Sequence, residues 1–467
     1  MAMPADTSVV LPSQPSALER ILCLFTEVRA GEGVTALVMV ANVFLILCAY
    51  YFVKPLRDGW IAIADIGGLS SMEVKAYTSF VQGIVLAGAM SLYARLAGRW
   101  TRRDLIVRST LFCIATLLAF WMVRPGSSHD QMPGIGILFY IWVGMFGVFV
   151  VAQFWAFAAD FYTPERGERL LPLVAIGATS GAVAGSFLTG ALLQSGTVDS
   201  GALLLVAMLP LAGSMLLTAV ADSRSGSDRS ASAARRSDAP AAGGSGGALE
   251  LILRHRYLVA VAGVTLLTSW VGTNGENLLF KVVQDSLAGE LISRGVTNSI
   301  EMKAFVRDWT TSFYGNFFFW VNVSALVLQA LFASRLLKYG GFGLILLLLP
   351  VISLFTYSIM AFFPVLVVVQ VMKTAENATA YSINNTARQV FWLPTTATMK
   401  YKAKPAIETF CVRFGDGLAA ATTMVGVHLL VLSTQSFFLL NVALVVVWLG
   451  IAVLVVREHR RLAQRTA

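Results

Sequence analysis

Residues 223–248 read SRSGSDRSASAARRSDAPAAGGSGGA, a stretch of Ser, Gly, Ala and charge without one large apolar side chain. Such a segment cannot bury enough surface to offset the entropy of ordering it, so it is expected to be a flexible linker. Its neighbours are of the opposite kind. A membrane-spanning helix needs roughly 20 mainly apolar residues. On the N-terminal side, runs of that sort fall at about 34–54, 76–97, 105–123, 135–159, 170–194 and 201–221. On the C-terminal side they fall at about 257–283, 310–334, 341–362, 364–389, 405–432 and 435–456. The expected fold is therefore an all-α integral membrane protein with twelve transmembrane helices in two six-helix halves, a layout like that of the major facilitator architecture.

Composition leads to the same class. The chain has 467 residues, of which 57% are hydrophobic and 13% charged, with a mean hydropathy of +0.71. A soluble domain is nearer a quarter charged. A water-facing exterior cannot be built from so few ionised groups, which excludes a soluble enzyme, a nucleic-acid-binding module and a disordered hub. The partner is the lipid bilayer, and the net charge of +9 reflects topology, not nucleic acid. The expected division is an N-terminal segment 1–33, a first half 34–222, the linker 223–248, a second half 249–456 and a tail 457–467. The first apolar run is longer than a signal-peptide core, so it reads as a spanning helix and no cleaved export signal is expected.

Basic residues set the orientation. Arg95, Arg99, Arg102, Arg103 and Arg108 follow the second run, Lys400, Lys402 and Lys404 the tenth, and Arg457, Arg460, Arg461 and Arg465 close the chain. Positive short loops stay in the cytoplasm, so both termini are expected there, in a bacterial inner membrane. Cys23, Cys48, Cys113 and Cys411 lack metal-ligand or CxxC spacing and read as buried small hydrophobes. The outer segment 284–309 mixes charge with apolar positions and reads either as an amphipathic interfacial helix or as a solvated connector.

Ionisable groups inside hydrocarbon are costly unless paired or facing a cavity, so each is a functional candidate. The first span ends Tyr50-Tyr51-Phe52-Val53-Lys54-Pro55-Leu56-Arg57-Asp58. Lys54, Arg57 and Asp58 can share a helical face, either as two cations for a polyanion or as snorkelling groups with a Lys54–Asp58 pair. The tenth span carries Lys373, Asn377, Tyr381, Asn384 and Arg388 in steps of four, four, three and four, with Glu376 beside them. That continuous stripe either lines an aqueous path or forms an interhelical network. The seventh span offers Asn274, Glu276, Asn277 and Lys281. The eleventh has Glu408, and its Arg413 and Asp416, three apart, read as an internal ion pair. Gly177, Gly181 and Gly185 give the fifth span a smooth face for close packing.

Several segments together resemble the ATP/ADP translocase family of plastids and obligate intracellular bacteria and its bacterial relatives. They are Tyr51 to Asp58, the run Phe154-Trp155-Ala156-Phe157-Ala158-Ala159-Asp160 followed by Thr163-Pro164-Glu165-Arg166, and Tyr381-Ser382-Ile383 through Arg388 to Lys402-Ala403-Lys404-Pro405-Ala406-Ile407-Glu408. The order of Lys54 and Arg57 is swapped relative to that pattern, and Glu408 stands where an aspartate is usual. The resemblance implies a secondary transporter of a nucleotide or related organic anion, with ATP/ADP-type exchange as one mode. Its phosphates would meet Lys54, Arg57, Lys281, Lys373 and Arg388, and its base Tyr50, Tyr51, Trp155 and Tyr381, with Asp58, Asn277, Glu376, Asn377 and Asn384 alongside. Glu276, Glu376 and Glu408 are the candidates for coupling if the anion is instead carried with protons. A receptor or scaffold that has lost turnover is the reading from another class. No phosphate-binding Gly-rich loop, nucleophile constellation or metal-ligand spacing occurs, so no enzyme activity, metal or cofactor is expected, and no protein partner is indicated.

If residues 223–248 link two halves on the cytoplasmic side, brief protease treatment of inside-out vesicles should cut the chain into two six-helix fragments. Resistance of that segment on the cytoplasmic face would contradict the assignment.

Overall fold

The structure is a computed structural model that describes residues 17–23, 26–29, 31–97, 102–126, 134–224, 247–294, 298–396 and 398–466. The interior of the 223–248 segment lies outside the described residues. Among those described, all regular structure is helical. The first half is α1 Gly33–Ala62, α2 Ser71–Ala97, α3 Arg102–Met122, α4 Ile135–Phe161, α5 Pro164–Gln194 and α6 Ala202–Arg224. The second half is α7 Arg256–Arg294, α8 Ser299–Leu328, α9 Ser334–Phe362, α10, α11 and α12 Thr434–Thr466. Here α10 joins Leu366–Thr379, a π turn Ala380–Asn384 and Asn385–Val390. Likewise α11 runs from the π turn Met399–Ala403 through Lys404–Ala406, the π turn Ile407–Cys411 and Val412–Met424 to the π turn Val425–Leu429. Short helices Ala17–Leu22 and Ala248–Arg254 precede the two halves.

Nine of the described helices are long and apolar enough to cross a membrane. The more polar α2 and the π-broken α10 and α11 complete twelve. Local chemistry sets the ends. Thr163 caps α5 by accepting from the Arg166 amide, with Pro164 at the first position, where its missing N–H costs nothing. Between the eighth and ninth spans the chain reverses at Gly341, whose φ of 64° suits only glycine without strain. The exterior is apolar, with Phe112, Leu209, Phe355 and Val367 all more than 60% exposed, as lipid contact requires.

In the first half α1 lies in close contact with α5. A Cβ at Gly177 would sit 2.7 Å from the Val40 carbonyl oxygen and one at Gly185 2.5 Å from that of Cys48, while one at Gly181 would fall on the Phe44 carbonyl. The glycine face expected for the fifth span is thus buried against the first. The equivalent pair in the second half, α7 and α11, meets at Gly415, where a Cβ would lie 2.7 Å from the Leu266 carbonyl. Before α1, Glu32 takes Arg169 at 3.0 Å and Arg166 at 3.2 Å. Burial would raise this carboxyl, but the bonds and charges of those arginines outweigh it and hold it below the usual range.

Three expectations change. Residues 284–309 are mostly helix: α7 continues to Arg294, and α8 starts after the Asn298 cap, whose side chain accepts from the Ile300 amide. No proline interrupts α7 before Arg294, so the two spans lengthen instead of forming a separate interfacial element. Cys23 is exposed, because it follows the short N-terminal helix and not an apolar span. The second span, expected from about 76, begins at Ser71, so that Lys75 lies one turn into α2 and is buried.

Close helix contact predicts a steric test. Gly181→Val should lower the unfolding midpoint in detergent, at a cost of about 1–3 kcal/mol for overpacking. An unchanged midpoint would show that α1 and α5 can separate freely.

Candidate functional site

From the level of Tyr51 to the end opposite the chain termini, the halves are joined side chain to side chain. Tyr51 donates to Asn322 at 3.2 Å, and Asn322 donates to Ser186 at 3.2 Å. Further along, a Cβ at Gly59 would lie 2.6 Å from the Arg307 carbonyl oxygen and one at Gly315 would lie 3.0 Å from the Gly190 nitrogen. Arg307 donates to the Pro125 carbonyl at 2.7 Å, Ser200 bonds Asp308, and His428 meets Glu73 at 2.6 Å. These contacts seal the end away from the termini. His428 is one of the bridges.

Between the halves lies a cluster of charge and aromatic rings. Lys54 sits in a cage: its Nζ is 3.8 Å from the ring centroid of Phe318, 5.0 Å from Tyr51, 5.7 Å from Tyr381 and 5.9 Å from Tyr50. Ring faces attract a desolvated cation strongly. Among the described residues Lys54 has no carboxylate within ion-pair distance. The Lys54–Asp58 pair is replaced by another, because Asp58 turns to Lys75 of α2 at 2.9 Å and to Arg57 at 3.2 Å. Arg57 lies 4.3 Å from the Tyr140 ring, and Lys75 lies 4.4 Å from that of Phe280 and 3.4 Å from the Tyr314 hydroxyl.

Across the interface, Lys373 pairs with Glu376 at 2.6 Å and approaches Glu276 at 3.6 Å. Glu376 also accepts from Tyr357 at 3.0 Å and Ser353 at 3.1 Å, and Asn377 donates to Glu276 at 2.7 Å. The tenth span's stripe therefore divides. Its Lys373 and Asn377 end is an interhelical network, Tyr381 turns to Lys54 with 43% exposure, and Asn384 and Arg388 line a cavity with α7 and α11. Asn277 is buried, with its side-chain nitrogen unpartnered.

Other sequence candidates lie apart from this cluster. Lys281 forms an outlying pair with Asp285 at 2.7 Å, and Trp155 packs edge-on to Phe154 in the first half's core. Glu408 belongs to the π turn of α11, half-buried and without a bond to the cluster. Arg413 and Asp416 do pair, at 3.0 Å, and Ser269 and Thr273 also donate to Asp416. Lys75 is the member that sequence reasoning missed. It lies just outside the apolar run, and its signal is a lysine one turn into a helix that begins at Ser71.

With each group ionised, the cluster holds four cations, Lys54, Arg57, Lys75 and Lys373, against three carboxylates, Asp58, Glu276 and Glu376. The first half contributes three cations and one carboxylate, the second two carboxylates and one cation. An anion in the cleft is therefore drawn to the α1 side.

Removing one partner of a buried pair leaves an uncompensated charge, at a cost of about 3–5 kcal/mol. Lys373→Met should lower the unfolding midpoint accordingly, and Lys373→Met with Glu376→Gln should recover much of the loss. Equal losses in the single and double variants would show that the pair does not stabilise the fold.

No protein-family model matches the chain, and no curated protein matches it by sequence. Solved structures do. A nucleoside transporter, NupG, superposes with a TM-score of 0.60 at 13% identity, covering 90% of this chain and 98% of its own. A bacterial homologue of the iron transporter ferroportin in an inward-facing state gives 0.59 at 11% identity, covering 90% and 98%. An auto-inhibited POT family peptide transporter gives 0.57 at 11%, covering 91% and 97%. The likeness runs through both halves, and the chain has the twelve-helix fold of the major facilitator transporters.

Proposed function

We propose that this protein is a secondary transporter that moves an organic anion by alternating access, with Lys54 as the residue that meets the anionic group. The supporting observation is the unpaired, ring-caged Lys54 between two halves that are bonded to each other toward one end. Arg57 and Lys75 share a single carboxylate, so they reinforce the positive field on the same side. Ring faces at Tyr50, Tyr51, Tyr381 and Phe318 would take a planar group. Together with the sequence resemblance to ATP/ADP translocases, this favours a nucleotide and an exchange mode. Arg57 and Asp58 orient the cations, and Asn277 offers an unpartnered donor. Lys373 is already committed to Glu376, so in this reading it shapes the site and does not clamp the substrate. We place the termini and the open side in the cytoplasm of a bacterial inner membrane, from the distribution of lysine and arginine.

A second reading is supported by Glu276. Its side chain is 31% exposed, against 0% for Asp58 and 5% for Glu376, so it is the carboxylate of the cluster that a proton reaches from water. In that case an anion of another kind would travel with a proton taken up there.

Counterflow of labelled ADP, ATP and other organic anions into preloaded proteoliposomes tests the proposal. Uptake should require anion inside, and Lys54→Gln should reduce it at least tenfold, since a hydrogen bond to a charged group contributes roughly 1.5–3 kcal/mol. Anion uptake driven by a pH gradient and lost in Glu276→Gln would favour the proton-coupled reading. Binding without counterflow would make the protein a receptor.

A further inference from the structure

The cavity beside α10 is separate from the Lys54 cage. It measures about 130 Å³ and lies within the second half, lined by Thr265, Thr268 and Ser269 of α7, Asn384, Arg388 and Phe391 at the end of α10, and Val264 and Val412. That is room for several waters, at roughly 30 Å³ each, but well short of the roughly 300–1,000 Å³ that encloses a whole small molecule. It fits one functional group of a ligand.

Its chemistry selects the group. Arg57, Lys281, Lys373 and Arg413 all have carboxylate partners, whereas Arg388 has neither ion pair nor hydrogen bond among the described residues. Asn384, one turn before it on the same face, is 7% exposed, makes no side-chain hydrogen bond among the described residues and lines the cavity, where its amide is open to a ligand. The hydroxyls of Thr265 and Thr268 are turned back to the carbonyls of Val261 and Val264, and so do not compete for either group. Behind the wall, Asp416 is paired with Arg413 and takes hydrogen bonds from Ser269 and Thr273. Asn384 closes a π turn, and a second π turn, Ile407–Cys411, ends beside Val412. Such insertions into helices accompany functional sites.

We infer that Arg388 and Asn384 form an anion subsite that takes a tetrahedral oxyanion, a phosphate group. The planar guanidinium offers two parallel N–H donors, the geometry that phosphate accepts, and the Asn384 amide offers a third. Arg388 lies seven residues from Tyr381, about 10 Å along the helix axis at 1.5 Å per residue. An elongated substrate with one end at the Lys54 cage could therefore place a phosphate here. This use of the subsite rests on the anion-transport reading above. A lipid head group carries the same phosphate chemistry and could reach the cavity from between the helices.

The test uses the full chain purified in maltoside micelles, which contain no phosphate. Unfolding midpoints are read against inorganic phosphate, against chloride at equal ionic strength, and against a short-chain phosphatidylglycerol. Inorganic phosphate should raise the midpoint of the parent and of Lys54→Gln. Arg388→Gln should need at least tenfold more phosphate for the same effect, Arg388→Lys should fall between, and Asn384→Ala should weaken the response with the fold intact. Should Arg388→Gln not fold, phenylglyoxal labelling of the parent provides the second readout: phosphate should protect Arg388, located by peptide mass spectrometry. Protection by phosphatidylglycerol alone would assign the cavity to lipid and overturn the substrate subsite. No protection of Arg388 by any phosphate, or an unchanged response in Arg388→Gln, would overturn the site itself. Counterflow with an unaltered phosphate response in Arg388→Gln rejects the subsite and keeps the transport reading. Phosphate protection at Arg388 without counterflow of any anion does the reverse.

Discussion

Charge buried between two six-helix halves is the constraint around which this molecule is organised. Taking an ion out of water costs several kcal/mol even after relaxation, and here seven ionisable groups are gathered in one interface. Most are offset in pairs: Asp58 by Lys75 and Arg57, and Glu376 by Lys373. Lys54 is offset differently, by ring faces that come from both halves, Tyr50 and Tyr51 on one side and Phe318 and Tyr381 on the other. A cage assembled from both halves senses their relative position. Any rocking of one half against the other changes the surroundings of that ammonium.

The close helix crossings hold each half together. Within each half, glycines let backbones touch, at α1 with α5 and at the equivalent α7 with α11. Such contacts are bulk-sensitive and continuous, as rigid bodies need. Between the halves glycines also bring backbones close, at Gly59 with Arg307 and at Gly315 with Gly190, and polar joints lie beside them: Ser200 to Asp308, Arg307 to the Pro125 carbonyl, and His428 to Glu73. Each polar joint could exchange its partner for water if that end were to open.

Much of the architecture was legible in the sequence because hydrophobic run length is a local property. Twelve runs and the glycine stripe of α5 depend on neighbours along the chain. Pairing within the cluster was less accessible. Lys54 and Asp58 lie four apart and look like partners, but the helix turns Asp58 toward Lys75, which is distant from it in space until α2 folds back. The stripe on α10 shows the same limit. Spacing establishes that Lys373, Asn377, Tyr381, Asn384 and Arg388 share a face, but how the network closes depends on Glu276 of α7 and on the Ser353 and Tyr357 hydroxyls of α9. The bond from Tyr357 to Glu376 crosses elements and leaves no trace in periodicity. The 284–309 segment misled for a simpler reason: mixed charge within it reads as an interfacial helix or a connector, whereas a helix that extends beyond lipid can carry charge at no cost.

The account's central claim is that an anion acts on the relative position of the halves through Lys54. Spin labels on Thr197 and Ile300, at the sealed end of the two halves, would report that position as a distance by pulsed electron resonance in lipid nanodiscs. Addition of ATP should broaden or lengthen the distance distribution in the parent, as the polar joints at that end open, and should leave Lys54→Gln unmoved. The same change in both proteins, or in neither while ATP is demonstrably transported, would contradict the claim.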